Sequence, residues 1–240
     1  MERKLETNTG EEKPLLELFV NILKENDAFC KSNPDAREAN TELQNLMRES
    51  MIYNAWDKLI PWSEFGKATA GSAMITYLAF ILRPLAFGMY LDFLGGNLVA
   101  VFMQLRTLLE QLAKCNYADS LRNTHDESFF QTRLEAVEQL RQSMTKTIGT
   151  LGTDAEELWR RLSNRWVHMK RMEGLVNAVS ERGIPGYATI IPVNYDDVDI
   201  PDIKDLTETV RQFRKLLDLT LHRWDPSKRN NLGRFLGGGG

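Results

Sequence analysis

LVAVFMQLRTLLEQLAKCNYAD, residues 98–119, sets Leu98, Val101, Phe102, Leu105, Leu108, Leu109 and Leu112 at separations of three and four. At about 100° per residue these side chains merge into one broad apolar stripe, the mark of a helix with a core-facing side, and they never alternate as a half-buried strand would. Gly95-Gly96 and Asn97 just before it supply a turn and a cap. A stripe this wide requires other elements to cover it, and the flanking sequence offers helices.

On the N-terminal side, Ser63 to Leu94 is apolar nearly all round, with AMITYLAFIL before Arg83-Pro84 and LAFGMYL after. Neither half reaches the roughly 20 uninterrupted apolar residues that cross a bilayer. Arg83, Pro84 and Asp92 break the run, so the expectation is a central buried helix kinked at Pro84 and no membrane partner. Further upstream, Pro14 opens a first helix over LLELFVNILKENDAFC. Asn33-Pro34 starts a second, which Leu43, Leu46, Met47, Ile52, Trp56 and Leu59 carry to Pro61.

Downstream, Asp126 starts a helix with Phe130, Leu134, Val137, Met144 and Ile148 inward, and TLGTD links it to a further helix from Thr153. Asp202 is expected to cap the last helix, whose Ile203, Leu206, Val210, Phe213, Leu217, Leu221 and Trp224 keep a nearly heptad spacing. The fold class is therefore all-α, a multi-helix bundle of roughly six to eight helices with one central kinked apolar helix. Residues 1–12 read as a flexible N-terminus, 13–225 as a single helical domain with a long loop at 183–201, and 226–240 as a disordered tail, basic and then glycine-rich.

With 240 residues, 42% of them hydrophobic, the chain can bury a real core. A formal net charge of -3 argues against capture of nucleic acid by the molecule as a whole, so such a partner needs a local patch. Cys30 and Cys115 match no metal or redox spacing and read as reduced core thiols. MERKLETNTGEEK has no apolar run behind a basic start, which makes the cytoplasm the expected location. No cofactor or metal is expected. His125, His168 and His222 lack paired ligand spacing, Asp196, Asp197 and Asp199 lack the EF-hand glycine and glutamate and read as a solvated acidic loop, and no Walker, GxGxxG or GxSxG motif occurs. Arg106 and Glu110, one turn apart beside the apolar stripe, read as an ordinary flanking ion pair, with a partly buried pair as the alternative.

The densest cationic cluster lies in TDAEELWRRLSNRWVHMKRMEGLVNAVSER, residues 153–182. Thr153 and Glu156 have capping-box spacing. Trp159, Leu162, Trp166 and Met169 share one face, and Arg160, Arg161, Asn164, Arg165, His168 and Arg171 the opposite one, with no acid between Trp159 and Arg171. Beyond Gly174, Leu175, Val176 and Val179 move into the sector held earlier by the cations. The buried face thus rotates: either the helix bends near Gly174, or the cationic face looks toward something inside the molecule or across an interface, and a homodimer with Trp159 to Val179 in or beside its interface is expected.

RLSNRWVH resembles the Arg-x4-6-His signature of HEPN-type helical domains, and QLRTLLEQLAK resembles the Arg- and Glu-bearing core helix of distant HEPN-like families. The resemblance implies a metal-independent ribonuclease, or a partner of nucleotidyltransferases, in which two copies of the motif helix meet in a dimer. Under it Arg161 stabilises a phosphate and His168 acts as acid or base on the RNA 2'-hydroxyl, while Leu162 stands where the family usually has a polar residue. Arg160, Arg165, Lys170 and Arg171 are the accompanying candidates for nucleic-acid contact. The alternative reading is a non-catalytic helical scaffold or oligomerisation module whose cationic face meets an acidic protein partner.

Overall fold

The computed structural model describes residues 15–53, 73–120, 144–164 and 194–224. Seven helices build it: α1 Leu15–Ser32, α2 Pro34–Tyr53, α3 Ala73–Leu94, α4 Leu98–Ser120, α5 Met144–Gly149, α6 Thr153–Leu162 and α7 Ile200–Arg223. There is no strand among the described residues. The expected helix starts at Pro14 and Asp126, and the loop and tail assignments for 183–193 and 226–240, lie outside those residues.

The apolar stripe of α4 is the centre of the molecule: every residue named for it above, from Leu98 to Leu112, is buried. α3 packs along it through a short turn in which Gly96 takes a φ of 76°, a left-handed conformation that costs a residue with a Cβ. Asn97 caps α4 as expected, its Oδ1 accepting the Ala100 amide at 3.2 Å. The other face of α3 lies against α2, and α7 packs most extensively on α2. All the apolar residues expected inward on the last helix, Ile203 to Trp224, are buried.

The irregularity at Pro84 takes a specific form. Tyr77–Leu82 is a π-helical turn, followed at once by α-helix over Arg83–Leu94. Proline offers no N–H to the preceding turn, and the wider turn ahead of it re-registers the backbone where that bond is missing. Tyr77 is fully buried there, donating its hydroxyl to the Leu108 carbonyl of α4 at 3.2 Å. α3 is long and apolar enough to cross a membrane by length and composition. It is not buried on every side as the sequence led us to expect: Ala73, Leu78, Leu82, Ala86, Met89 and Phe93 face inward, whereas Phe80 and Leu91 are 55% and 56% exposed. Among the described residues α3 packs chiefly against α2 and α4, with α1 touching its C-terminal end.

Three polar junctions lock the helices. Asp119, near the end of α4, accepts the Ala73 amide at 2.8 Å, the Met74 amide at 3.2 Å and the Trp224 indole N–H at 2.8 Å, tying the start of α3 to the end of α7. Asn26 of α1 is fully buried, donating to the Leu94 carbonyl and accepting the Tyr195 amide, both at 2.8 Å. Tyr195 in turn donates its hydroxyl to the Phe93 carbonyl at 2.6 Å, beside the Gly96 amide that the same carbonyl accepts at 3.0 Å, so side chains from two remote segments bond the last carbonyls of α3. The third junction is a ladder of charge between α2 and α7: Lys204 with Asp35, Arg211 with Glu38 and Glu42, and Arg214 with Glu42 and Glu49. The numbers rise together on both helices, which therefore run parallel.

Two helix starts differ from expectation. Thr153 and Glu156 form no capping box: Gly152, with a φ of 113°, is the residue before the first turn, and no side chain caps it. Glu156 is instead turned toward Gly149, where a Cβ would collide with its carboxylate, and it meets Arg160 at 3.6 Å. The run Asp196, Asp197, Asp199 is not merely a solvated loop. Asp196 accepts the Val198 amide at 2.8 Å and Asp199 accepts the Asp196 amide at 3.0 Å, a capping box on a short 3-10 turn that leads directly into α7 at Ile200, two residues before Asp202.

Candidate functional site

α6, which runs on into helical backbone at Ser163 and Asn164, presents three edges. Ala155, Leu158 and Leu162 are buried in the core at spacings of three and four. Trp159 lies on one flank of that stripe, its indole N–H donating to Glu110 of α4 at 2.8 Å. The same carboxylate oxygen accepts Arg106 Nε at 2.8 Å, and the Arg106 guanidinium sits over the Trp159 ring at 5.7 Å from its centroid. The Arg106–Glu110 pair is thus more than a flanking pair on one helix: it is about one-fifth exposed and forms the polar contact between α4 and α6.

Arg161 occupies the other flank. It lies at α7, where Nη2 donates to Thr209 Oγ1 at 2.9 Å and to Gln212 Oε1 at 3.0 Å. Arg161 Nε is buried without a hydrogen-bond partner, and Arg161 makes no ion pair among the described residues. Both acceptors are neutral, so the guanidinium is held in place without being neutralised by contact. Thr209 itself donates to the Asp205 carbonyl one turn back at 2.6 Å, which orients its oxygen toward Arg161 as an acceptor.

Between α6 and α7 runs a groove of about 470 Å³. Leu158 and Leu216 give it an apolar floor and Leu219 an apolar rim; Arg161, Arg211 and Lys215 supply cations, and Asp154, Glu157 and Glu208 supply carboxylates. Among the described residues the lining thus carries both signs of charge in equal number. Gln212 is fixed from both ends, accepting from Arg161 and donating Nε2 to Glu208 at 2.7 Å. Arg211, while lining the groove, is also paired with Glu38 and Glu42 of α2.

Of the six candidate catalytic and nucleic-acid-binding residues, the structure describes two. Arg160 is exposed and pairs with Glu156; Arg161 lies in the groove. They diverge, one toward solvent and one toward α7, although the sequence set both on a single face. His168, Arg165, Lys170 and Arg171 lie outside the described residues. The groove's α7 lining was missed, because periodicity marks Glu208, Arg211, Gln212 and Lys215 only as an outward face and says nothing of what stands opposite.

Other chemistry finds little purchase among the described residues. Burial pushes the thiols of Cys30 and Cys115 up to about 12, which makes them packing groups rather than nucleophiles. No group of three or more His, Cys, Asp or Glu side chains is placed to hold a metal ion among those residues. Asp92 has its carboxyl pushed upward by burial, with a hydrogen bond from Gln104 acting in the opposite sense. The chain matches no protein-family model, no curated protein and no solved structure.

Proposed function

We propose that this chain is a non-catalytic helical interaction module that works by binding protein, with the groove between α6 and α7 as its recognition surface. The observation that carries the reading is the balance of charge around Arg161: Asp154, Glu157 and Glu208 line the same groove as Arg161, Arg211 and Lys215 over a leucine floor. A polyanion such as RNA brings successive phosphates against those carboxylates, whereas a protein segment offers single charges of both signs and apolar groups between them. The homodimer expected from the sequence belongs to the same proposal.

A second reading, HEPN-like RNA binding or metal-independent RNA cleavage, draws support from one feature. Arg161 is anchored by neutral acceptors and keeps its charge available to a phosphate. One pair of measurements separates the two. Incubation of the full chain with single-stranded RNA, beside the His168→Ala variant, is expected to give no cleavage by either protein. Cleavage by the wild type that disappears in the variant sinks the non-catalytic reading. Sedimentation across a range of concentrations and salt is expected to show a dimer, and a strictly monomeric species at high concentration removes that part of the proposal.

A further inference from the structure

We infer that the groove between α6 and α7 takes a partner segment bearing a carboxylate side chain next to an apolar one, with Arg161 as the anchor for the carboxylate. This rests on the interaction-module reading and adds the chemistry of the ligand.

Arg161 has the geometry of a prepared receptor. Two oxygens on α7 fix its Nη2, at 2.9 and 3.0 Å, so the planar guanidinium is held before any ligand arrives. Nη1 has no partner among the described residues, and its donors remain for a ligand. The neutral acceptors leave the full charge in place, and a carboxylate is the planar acceptor that matches such a fork. An apolar side chain beside it has somewhere to go: Leu158 and Leu216 are buried beneath the groove and Leu219, at its rim, is 40% exposed.

The rest of the lining restricts the ligand further. Each added negative charge on the segment meets Asp154, Glu157 or Glu208, so affinity does not grow with acidity. A basic side chain elsewhere on the segment finds those carboxylates instead. A volume of about 470 Å³ accommodates a few side chains, which suits one face of a helix or a short extended stretch and not a folded domain edge. An amphipathic segment with Glu, Leu and Lys on one face satisfies all of these terms.

The test uses the full chain and two capped synthetic peptides, one amphipathic helix with Glu, Leu and Lys on a single face and the same peptide with Gln for Glu. Titration is followed by calorimetry and by the side-chain Nε–Hε signal of Arg161. The Glu peptide is expected to bind about tenfold more tightly than the Gln peptide, in line with one charge-assisted hydrogen bond. Arg161→Gln is expected to remove that difference, and Arg160→Gln to leave it. Leu219→Glu, at a rim position tolerant of change, is expected to weaken both peptides, so a misfolded Arg161 variant does not decide the matter alone. Equal binding of the two peptides, binding of neither, or a difference that survives Arg161→Gln overturns the inference. Failure here leaves the module reading to stand or fall on the RNA-cleavage result, and a single-stranded RNA that competes with the Glu peptide for Arg161 counts against both.

Discussion

Replacing Asn26 with alanine tests the junction where α1, the end of α3 and the segment ahead of α7 meet. Asn26 is fully buried, and its amide serves two backbone groups at once, the Leu94 carbonyl and the Tyr195 N–H, each at 2.8 Å. Alanine removes both partners and leaves both groups in a place where Tyr195 is only 7% exposed. Each buried orphan costs about 1–3 kcal/mol, so the pair is expected to cost about 3 kcal/mol after some relaxation. For a chain of this size that is a fall in Tm of about 6–12 °C. Guanidinium unfolding followed by far-UV circular dichroism measures the free energy, and the m-value must stay constant for the comparison to hold. A loss below about 1 kcal/mol at constant m refutes the reasoning, since it means that water reaches the junction and the amide is not needed. Asn26→Asp sharpens the test. It keeps the acceptor for Tyr195 but sets a carboxylate against the Leu94 carbonyl, and its loss should ease on acidification, when the protonated acid can donate again.

Two further substitutions address the charged elements. Glu42→Ala removes the carboxylate that Arg211 and Arg214 share on α2; because those arginines keep Glu38 and Glu49, the expected loss in the same unfolding assay is about 2 kcal/mol, and a neutral result sinks the ladder as a source of stability. Asp92→Asn is expected to stabilise by about 1 kcal/mol at neutral pH, because the new amide can donate to Gln104 Oε1, which is buried without a partner. The sign follows from the direction of the shift: burial raises the folded pKa of Asp92, so its ionised form detracts from stability above that pKa and the penalty vanishes as pH falls toward about 4. The advantage of Asn over Asp must therefore shrink on acidification, and a gain that grows instead contradicts the account.

The helices and their inward faces were legible because burial repeats with the helical period. From Leu98 to Leu112 and from Ile203 to Trp224 every residue assigned inward is buried, and Asn33 caps α2 through the Asp35 and Ala36 amides as its place before Pro34 suggests. What periodicity leaves open is the identity of the opposite neighbour. Arg211 and Glu42 are 169 positions apart, as are Tyr195 and Asn26, and no local pattern joins them. Arg161 shows the same limit: its place among cations was readable, its commitment to Thr209 and Gln212 was not. Two local signals were available and misread. Gly152 just before Thr153 is a favoured residue at a helix start, and Asp196 with Asp199 has the spacing of a capping box.

That commitment of Arg161 separates a fixed receptor from a mere positive charge, and Arg161→Lys is the substitution that tells them apart. Lysine keeps the charge in the groove but concentrates its donors on one nitrogen. The atom that would satisfy Thr209 Oγ1 and Gln212 Oε1 is then the same atom that must meet the ligand, whereas arginine divides these tasks between Nη2 and Nη1. Stability is expected to stay within about 1 kcal/mol of the wild type, because two neutral acceptors can still be served. Discrimination between the Glu and Gln peptides is expected to fall from about tenfold to about threefold, with the loss in the dissociation rate more than in the association rate. Full retention of the tenfold ratio by the lysine variant would show that charge alone suffices, and the pre-set guanidinium would then have no part in recognition.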